Sequence, residues 1–335
     1  MQPSILDFLI NFSSVLWEAL PFIVLGALVA GILEELLPQQ LLTKVLPKAF
    51  VPSVLIGGAL GLIFPMCECG IVVVMRRLLR KGLPLSCCIA YMLAGPIVNG
   101  VVIFSTWVAF KDHKIGYEMV GLRIGFGFFV AVVTGFVVHY LHKKHGNDLL
   151  KPIAVPPVEP SPPEAAYEGA DLAAQPAAPA ASATKPTLGQ RLGNVSGTAL
   201  HDFVDITVFL ILGAALAALV RSYISTAEIE AFSREQPYLA IPAMMLLGFL
   251  MCLCSEADAF VAASFTNMHI TAKLAFLVLG PMLDIKLILM YTRVFRLRLI
   301  LTIVACVVVL VLVLCLGLYQ VYEANNWSGV PPGAL

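Results

Sequence analysis

Charge is what this chain has least of. Only 13% of its 335 residues are Asp, Glu, Lys or Arg, and 21 basic side chains balance 21 acidic ones to a formal net charge of zero. That balance argues against a nucleic-acid partner. No catalytic triad, phosphate-binding loop, nucleotide site or ATPase segment is visible. The chain is therefore read as a non-enzyme with no catalytic residues and no permanently bound cofactor, and any pumping must draw on a gradient. No basic residue precedes Lys44, so the charged start of a cleavable signal peptide is missing and the first helix is expected to stay in place. The eight cysteines do not form the dense, spaced framework of a small secreted fold.

What fills the chain instead is apolar: 59% hydrophobic residues and a mean hydropathy of +0.91. Uncharged runs such as 84–110 and 299–318 reach the roughly 20 residues that a helix needs to cross the hydrocarbon layer. The composition predicts an all-α polytopic membrane protein whose constant partner is the lipid bilayer.

The chain repeats itself. Cys67-Glu68-Cys69 stands 28 residues before Gly95-Pro96, and Cys252-Leu253-Cys254 stands 28 residues before Gly280-Pro281. Three residues beyond each Pro come Asn99 in one half and Asp284 in the other. Between the halves, the stretch from Pro152 to Pro186 is dominated by proline and alanine, with Glu159, Glu164, Glu168 and Asp171 and almost nothing large and apolar to bury. It reads as a disordered tether. The division is a first transmembrane repeat over 1–145, a linker over 146–198 and a second repeat over 199–335. Basic flanks of the Pro/Ala-rich stretch, Lys143, Lys144 and Lys151 on one side and Lys185 and Arg191 on the other, place it in the cytoplasm by the positive-inside tendency.

Apolar spans fall near 13–37, 50–66, 70–81, 84–110 and 117–141, and near 201–222, 237–253, 255–267, 272–291 and 297–321. The third of each set is short. Five spans per half is an odd number, so the two repeats are expected to be inverted in the membrane. Arg76, Arg77, Arg80 and Lys81, then Arg293, Arg296 and Arg298, all fall on the cytoplasmic side in that topology. A four-plus-four topology, with the cysteines buried in mid-helix, is the alternative.

Inverted repeats with interrupted helices build transporter sites at the bilayer midplane. Here the interruptions coincide with the cysteines: Pro65 precedes Met66-Cys67-Glu68-Cys69, and Ser255 follows Cys254. Thiolates select soft or borderline ions such as Cu(I), Zn(II) or trivalent arsenic. Cys67, Cys69, Cys252 and Cys254 are the candidate ligands. Carboxylates are costly in hydrocarbon, so Glu68, Glu256 and Asp258 should face a polar cavity or a cation, with Asn99, Asp284 and the kinks at Gly95, Pro96, Gly280 and Pro281 in support. Glu256 and Asp258, assisted by Asp284, are the candidate proton carriers. Cys87, Cys88, Cys306 and Cys315 read as packing residues. His201, Asp202 and Asp205 open the second half, and Glu18 matches Asp205 when Gly26 is aligned with Gly213. A transmembrane thiol-disulfide electron carrier is the reading from another class, but its exchange gains nothing from the three carboxylates.

Phe64-Pro65-Met66-Cys67-Glu68-Cys69-Gly70, Ala94-Gly95-Pro96-Ile97-Val98-Asn99 and Cys254-Ser255-Glu256-Ala257-Asp258-Ala259-Phe260 resemble the predicted permease family of bacterial membrane proteins, which includes organoarsenical efflux permeases and proposed copper/zinc efflux transporters. The resemblance covers both halves. Where that pattern leads one to expect a proline, this chain has Ile71-Val72-Val73-Val74. The resemblance implies export from the cytoplasm across a bacterial plasma (inner) membrane, with the four cysteines as substrate ligands. Both C-x-C pairs sit closer to the copper/zinc branch, and efflux of trivalent arsenic or organoarsenicals is the alternative.

Overall fold

A computed structural model describes residues 5–36, 49–63, 66–111, 115–154, 237–265 and 268–326, with scattered positions between 197 and 219. Eleven α-helices and no strands occur among them. In chain order they are α1 (Ile5–Leu36), α2 (Phe50–Ile63), α3 (Glu68–Arg80), α4 (Leu85–Ala94), α5 (Gly100–Phe110) and α6 (Gly116–His145). The second half supplies α7 (Pro237–Met251), α8 (Asp258–Ser264), α9 (Ile270–Met282), α10 (Ile285–Val294) and α11 (Leu297–Ala324). With no water to satisfy backbone groups, only helices or closed barrels are stable in lipid. Three stretches among the described residues are long and apolar enough to cross a membrane: α6, the 270–294 stretch containing α9 and α10, and α11, whose mean hydropathy reaches 3.5.

Element order runs in parallel through the two halves. A helix (α2 or α7) ends at a C-x-C turn. A short helix follows (α3 or α8), then one ending at or just past a Gly-Pro pair (α4 or α9), a short capped helix (α5 or α10) and a long span (α6 or α11). Packing repeats too: α2 lies along α4 as α7 lies along α9, and α4 along α6 as α9 along α11. Small residues permit the close approach that membrane helices use. A Cβ at Gly61 would stand 2.7 Å from the Cα of Gly95, and one at Gly248 would stand 3.2 Å from the carbonyl of Phe276.

The long spans α6 and α11 run antiparallel, fastened at both ends. At one end, the first turn of α6 offers Glu118 to the Tyr322 hydroxyl in the last turn of α11. At the other, the chain leaving α6 forms short 3-10 turns at Gly146–Leu149 and Pro152–Ala154. It pairs with the start of α11 through an antiparallel bridge between Leu150 and Phe295. Lys151 N donates to Val294 O (3.0 Å) and Arg296 N to Leu149 O (3.0 Å).

Two expectations need adjustment. The 84–110 run is two helices, because the chain turns at Gly95–Asn99, and 272–291 is likewise divided at Leu283 and Asp284. Within the stretch read as linker, residues 146–154 form short 3-10 turns with Leu149, Leu150 and Ala154 buried; the first turn lies against α6 and α11 and the second against α3. Residues 155–196 lie outside the described residues, as do His201, Asp202 and Asp205 and the side chain of Glu18.

Candidate functional site

Each C-x-C turn puts a cysteine where a helix has ended and the next has not begun. In the first half, Cys67 is the N-cap of α3 in extended backbone (φ −72°, ψ 168°), and Glu68 is the first helical residue. Both are buried, at 2% and 0% exposure. An acid there is favoured by the unpaired N–H groups at the helix start. In the second half, α7 ends at Met251 and Cys252 takes φ +48°, a left-handed conformation unusual for a non-glycine residue. Its thiol donates to Phe249 O at 3.6 Å. Cys254 O then accepts from the N–H groups of Ala257 and Asp258 (3.0 Å each), so Ser255, Glu256 and Ala257 form a single turn leading into α8. Cys254 and Asp258 are buried and Glu256 is half-buried. The side chain of Cys69 lies outside the described residues.

Two cations that sequence reasoning passed over organise these acids. Lys286, in the first turn of α10, donates to Glu68 Oε1 at 2.9 Å and to the Cys252 carbonyl at 3.0 Å, and lies 3.5 Å from Asp284 Oδ2. One ammonium thus touches both C-x-C turns. Arg123, on α6, donates through Nη2 to both oxygens of Asp258 (2.9 and 2.8 Å) and to Ser255 O (3.0 Å), and through Nη1 to Thr106 Oγ1 (2.7 Å). Both cations are almost wholly buried. Charges in such surroundings persist only when paired and hydrogen-bonded. Glu68 and Asp258 are thus each paired with a cation of the protein itself. The signal was available: Arg123 and Lys286 are isolated cations inside apolar spans, and an intramembrane charge marks a site by default.

The supporting residues divide. Asn99 caps α5, its Oδ1 accepting from Val102 N (2.9 Å), while Nδ2 donates to Gly95 O (3.2 Å). Asn99 therefore holds the kink at Gly95 and Pro96, and both polar atoms are committed there. Asp284 caps α10 by accepting from Leu287 N at 2.6 Å, but its other oxygen faces Lys286. Gly280 and Pro281 lie within α9, one turn before that cap. Glu68 Oε2 and Asp284 Oδ2 are buried without a hydrogen bond, which leaves two acceptor oxygens beside Lys286.

Other cysteines keep to the core. Cys87 and Cys88 are fully buried on α4 and Cys315 on α11, and Cys67, Cys252 and Cys254 are buried as well. Among the described residues no three His, Cys, Asp or Glu side chains converge closely enough to hold a metal ion. What the geometry brings together is two thiol-bearing turns, four carboxylates and two fixed cations at the junction of the halves.

A model of the predicted permease family matches residues 4–319. The protein YcgR (UPF0718) of Bacillus subtilis strain 168 is 35% identical over 312 residues, 93% of this chain and 96% of that protein. A Streptococcus mutans serotype c (strain ATCC 700610 / UA159) protein, provisionally named as a subunit of a two-component membrane permease complex, is 32% identical over 317 residues, 94% of this chain and 96% of its own length. No solved structure matches the chain.

Proposed function

We propose that this chain, which belongs to the predicted permease family, exports a thiophilic metal or metalloid through the junction where its two C-x-C turns meet. The observation that carries the reading is the shared ammonium: Lys286 bonds the Glu68 side chain from one turn and the Cys252 carbonyl from the other. Two helix interruptions joined at one buried polar point are what a midplane transport site requires. The antiparallel course of α6 and α11 supports an inverted repeat. On this reading the basic loops and linker are cytoplasmic, the membrane is the bacterial inner membrane, and Cys67, Cys69, Cys252 and Cys254 are the ligands, regrouping around the substrate as it passes.

Copper or zinc is the first substrate class, since soft thiolates with adjacent carboxylates suit such ions. For a cation to use Glu68, Lys286 must let go of it. One observation favours trivalent arsenic or an organoarsenical as the second reading. Glu68 and Asp258 are already matched by Lys286 and Arg123, so an uncharged, thiol-seeking substrate enters without upsetting the charge balance. A trivalent arsenic hydroxide carries the thiol protons away as water, whereas binding of a metal cation releases them. Glu256, half-buried and held by Ser255 Oγ at 3.4 Å, is the acid best placed to carry them, with Asp258 tied to Arg123. A second subunit, as in the complex named for the Streptococcus relative, belongs to the proposal as a partner.

Proteoliposomes containing the purified protein test this directly. Loaded separately with copper, zinc or a trivalent arsenical under an imposed proton gradient, they should show flux of at least one substrate that is lost in the chain lacking all four C-x-C cysteines. Unchanged flux in that variant would refute the thiol site. Flux indifferent to the gradient would refute the coupling.

A further inference from the structure

Where α6 hands over to α11, the ordered start of the linker and the α10–α11 corner enclose a cavity of about 740 Å³. Lys151, Arg296 and Arg298 line it against a single carboxylate, Asp148. No ion pair among the described residues engages these three cations, and all three are exposed. Their backbone is fixed, however. The Leu150–Phe295 bridge and the bonds from Lys151 N and Arg296 N hold the two segments side by side, and Phe295 is a buried floor. Arg296 is also the N-cap of α11 and supplies no side-chain bond to the first-turn N–H groups. Those donors add their partial positive charge to the same rim.

The cavity opens beside an exposed apolar helix face. Leu297 and Leu301, one turn apart at the start of α11, are 67% and 57% exposed, on a helix apolar enough to span the bilayer. A phosphate-bearing headgroup in the cavity would leave its acyl chains against these leucines. We infer that this cavity binds an anionic phospholipid, the headgroup phosphate taken by Lys151, Arg296 and Arg298 and the chains laid along the first turns of α11. Basic side chains near a membrane surface each favour anionic lipid by about fivefold in affinity, and three on one fixed frame give a localised site where a diffuse basic face would not. The occupant also ties the linker root to the second half, because Lys151 lies on one segment and the two arginines on the other.

The test uses the full chain in detergent, titrated with short-chain phosphatidylglycerol, phosphatidylcholine or inorganic phosphate while thermal unfolding is followed, alongside native mass spectrometry for bound lipid. Phosphatidylglycerol should raise the melting temperature and remain bound, whereas phosphatidylcholine should not. Replacing Lys151, Arg296 and Arg298 with Gln should weaken the effect by at least about tenfold. K143Q/K144Q, which removes two basic groups outside the cavity, should leave it unchanged. Equal loss in both variants would mean a diffuse basic face, and an equal rise with inorganic phosphate would mean a free-anion site; either result overturns the proposal. So would neutralising Glu159, Glu164, Glu168 and Asp171 if that alone abolished the stabilisation, since the occupant would then be the chain's own linker.

Discussion

Lys286 and Glu68, 218 positions apart in sequence, form a buried ion pair of 2.9 Å between α10 and α3. The same ammonium reaches the Cys252 carbonyl, so the pair joins the two halves at the place where both have broken their helices.

Removing one partner of this pair should be more harmful than removing both. Lys286→Met leaves Glu68 buried without its cation, a change that costs about 3–5 kcal/mol in comparable sites. Adding Glu68→Gln should recover part of that loss. Thermal unfolding of both single variants and the double variant gives the coupling, and purely additive losses would show that the two side chains do not depend on one another.

Arg123→Lys keeps the charge but not the fork. The guanidinium reaches Asp258, Ser255 O and Thr106 at once, a geometry that an ammonium cannot reproduce. Flux should fall at least about tenfold, equivalent to ~1.4 kcal/mol, with the protein still folded by circular dichroism. Wild-type flux would mean that Arg123 only balances charge.

Cysteine substitutions should separate by position. Cys67→Ser and Cys254→Ser should abolish protection of cells against the proposed thiophilic substrate, whereas Cys306→Ser and Cys315→Ser should leave it intact. Equal tolerance of all four would assign every thiol to packing. Sensitivity of one cysteine per repeat together with redox-dependent cross-linking would point to electron transfer.

Cys252 carries a backbone demand as well as a thiol. At φ +48° a β-branched side chain is strained by about 1–3 kcal/mol, so Cys252→Val should lower the melting temperature while Cys252→Gly should not. Both should lose transport. Equal stability of the two variants would mean that the turn relaxes out of the left-handed conformation.

Gly61→Ala tests the helix contact beneath the first kink. The added methyl would stand 2.7 Å from Gly95 Cα and 2.9 Å from Val98 O, and backbone atoms cannot swing aside as a flexible side chain can. Destabilisation of about 1–3 kcal/mol is expected, read as a fall in melting temperature. An unchanged value would show that α2 and α4 separate easily.

Much of this was legible in the chain because it depends on local chemistry. Asn99 and Asp284 at the helix starts after each Gly-Pro pair are short-range signals, and both are N-caps in the structure; the chain leaves its helix at Gly95 in the first half, but in the second it stays helical through Gly280 and Pro281 and breaks only at Leu283. The partners of the acids were not legible, since Glu68–Lys286 and Asp258–Arg123 join residues brought together only by packing between the halves. Hydropathy averaged over a window also conceals a single lysine, as Lys286 shows within a segment that still qualifies as a span. The docking of Leu149, Leu150 and Ala154 was not legible either, since they are buried against α6, α11 and α3, surfaces that exist only once the helices have packed.

The double fastening of α6 to α11 makes a truss of the two longest members. Held by Tyr322 on Glu118 at one end and by the Leu150–Phe295 bridge at the other, neither can slide past its neighbour. On the proposed transport mechanism, the stroke would then fall to α3, α8 and α10, short members latched by side chains, with a length set by the exchange of one ion pair for another. A covalent strap between positions 118 and 322 should accordingly leave flux intact, whereas one between positions 68 and 286 should stop it.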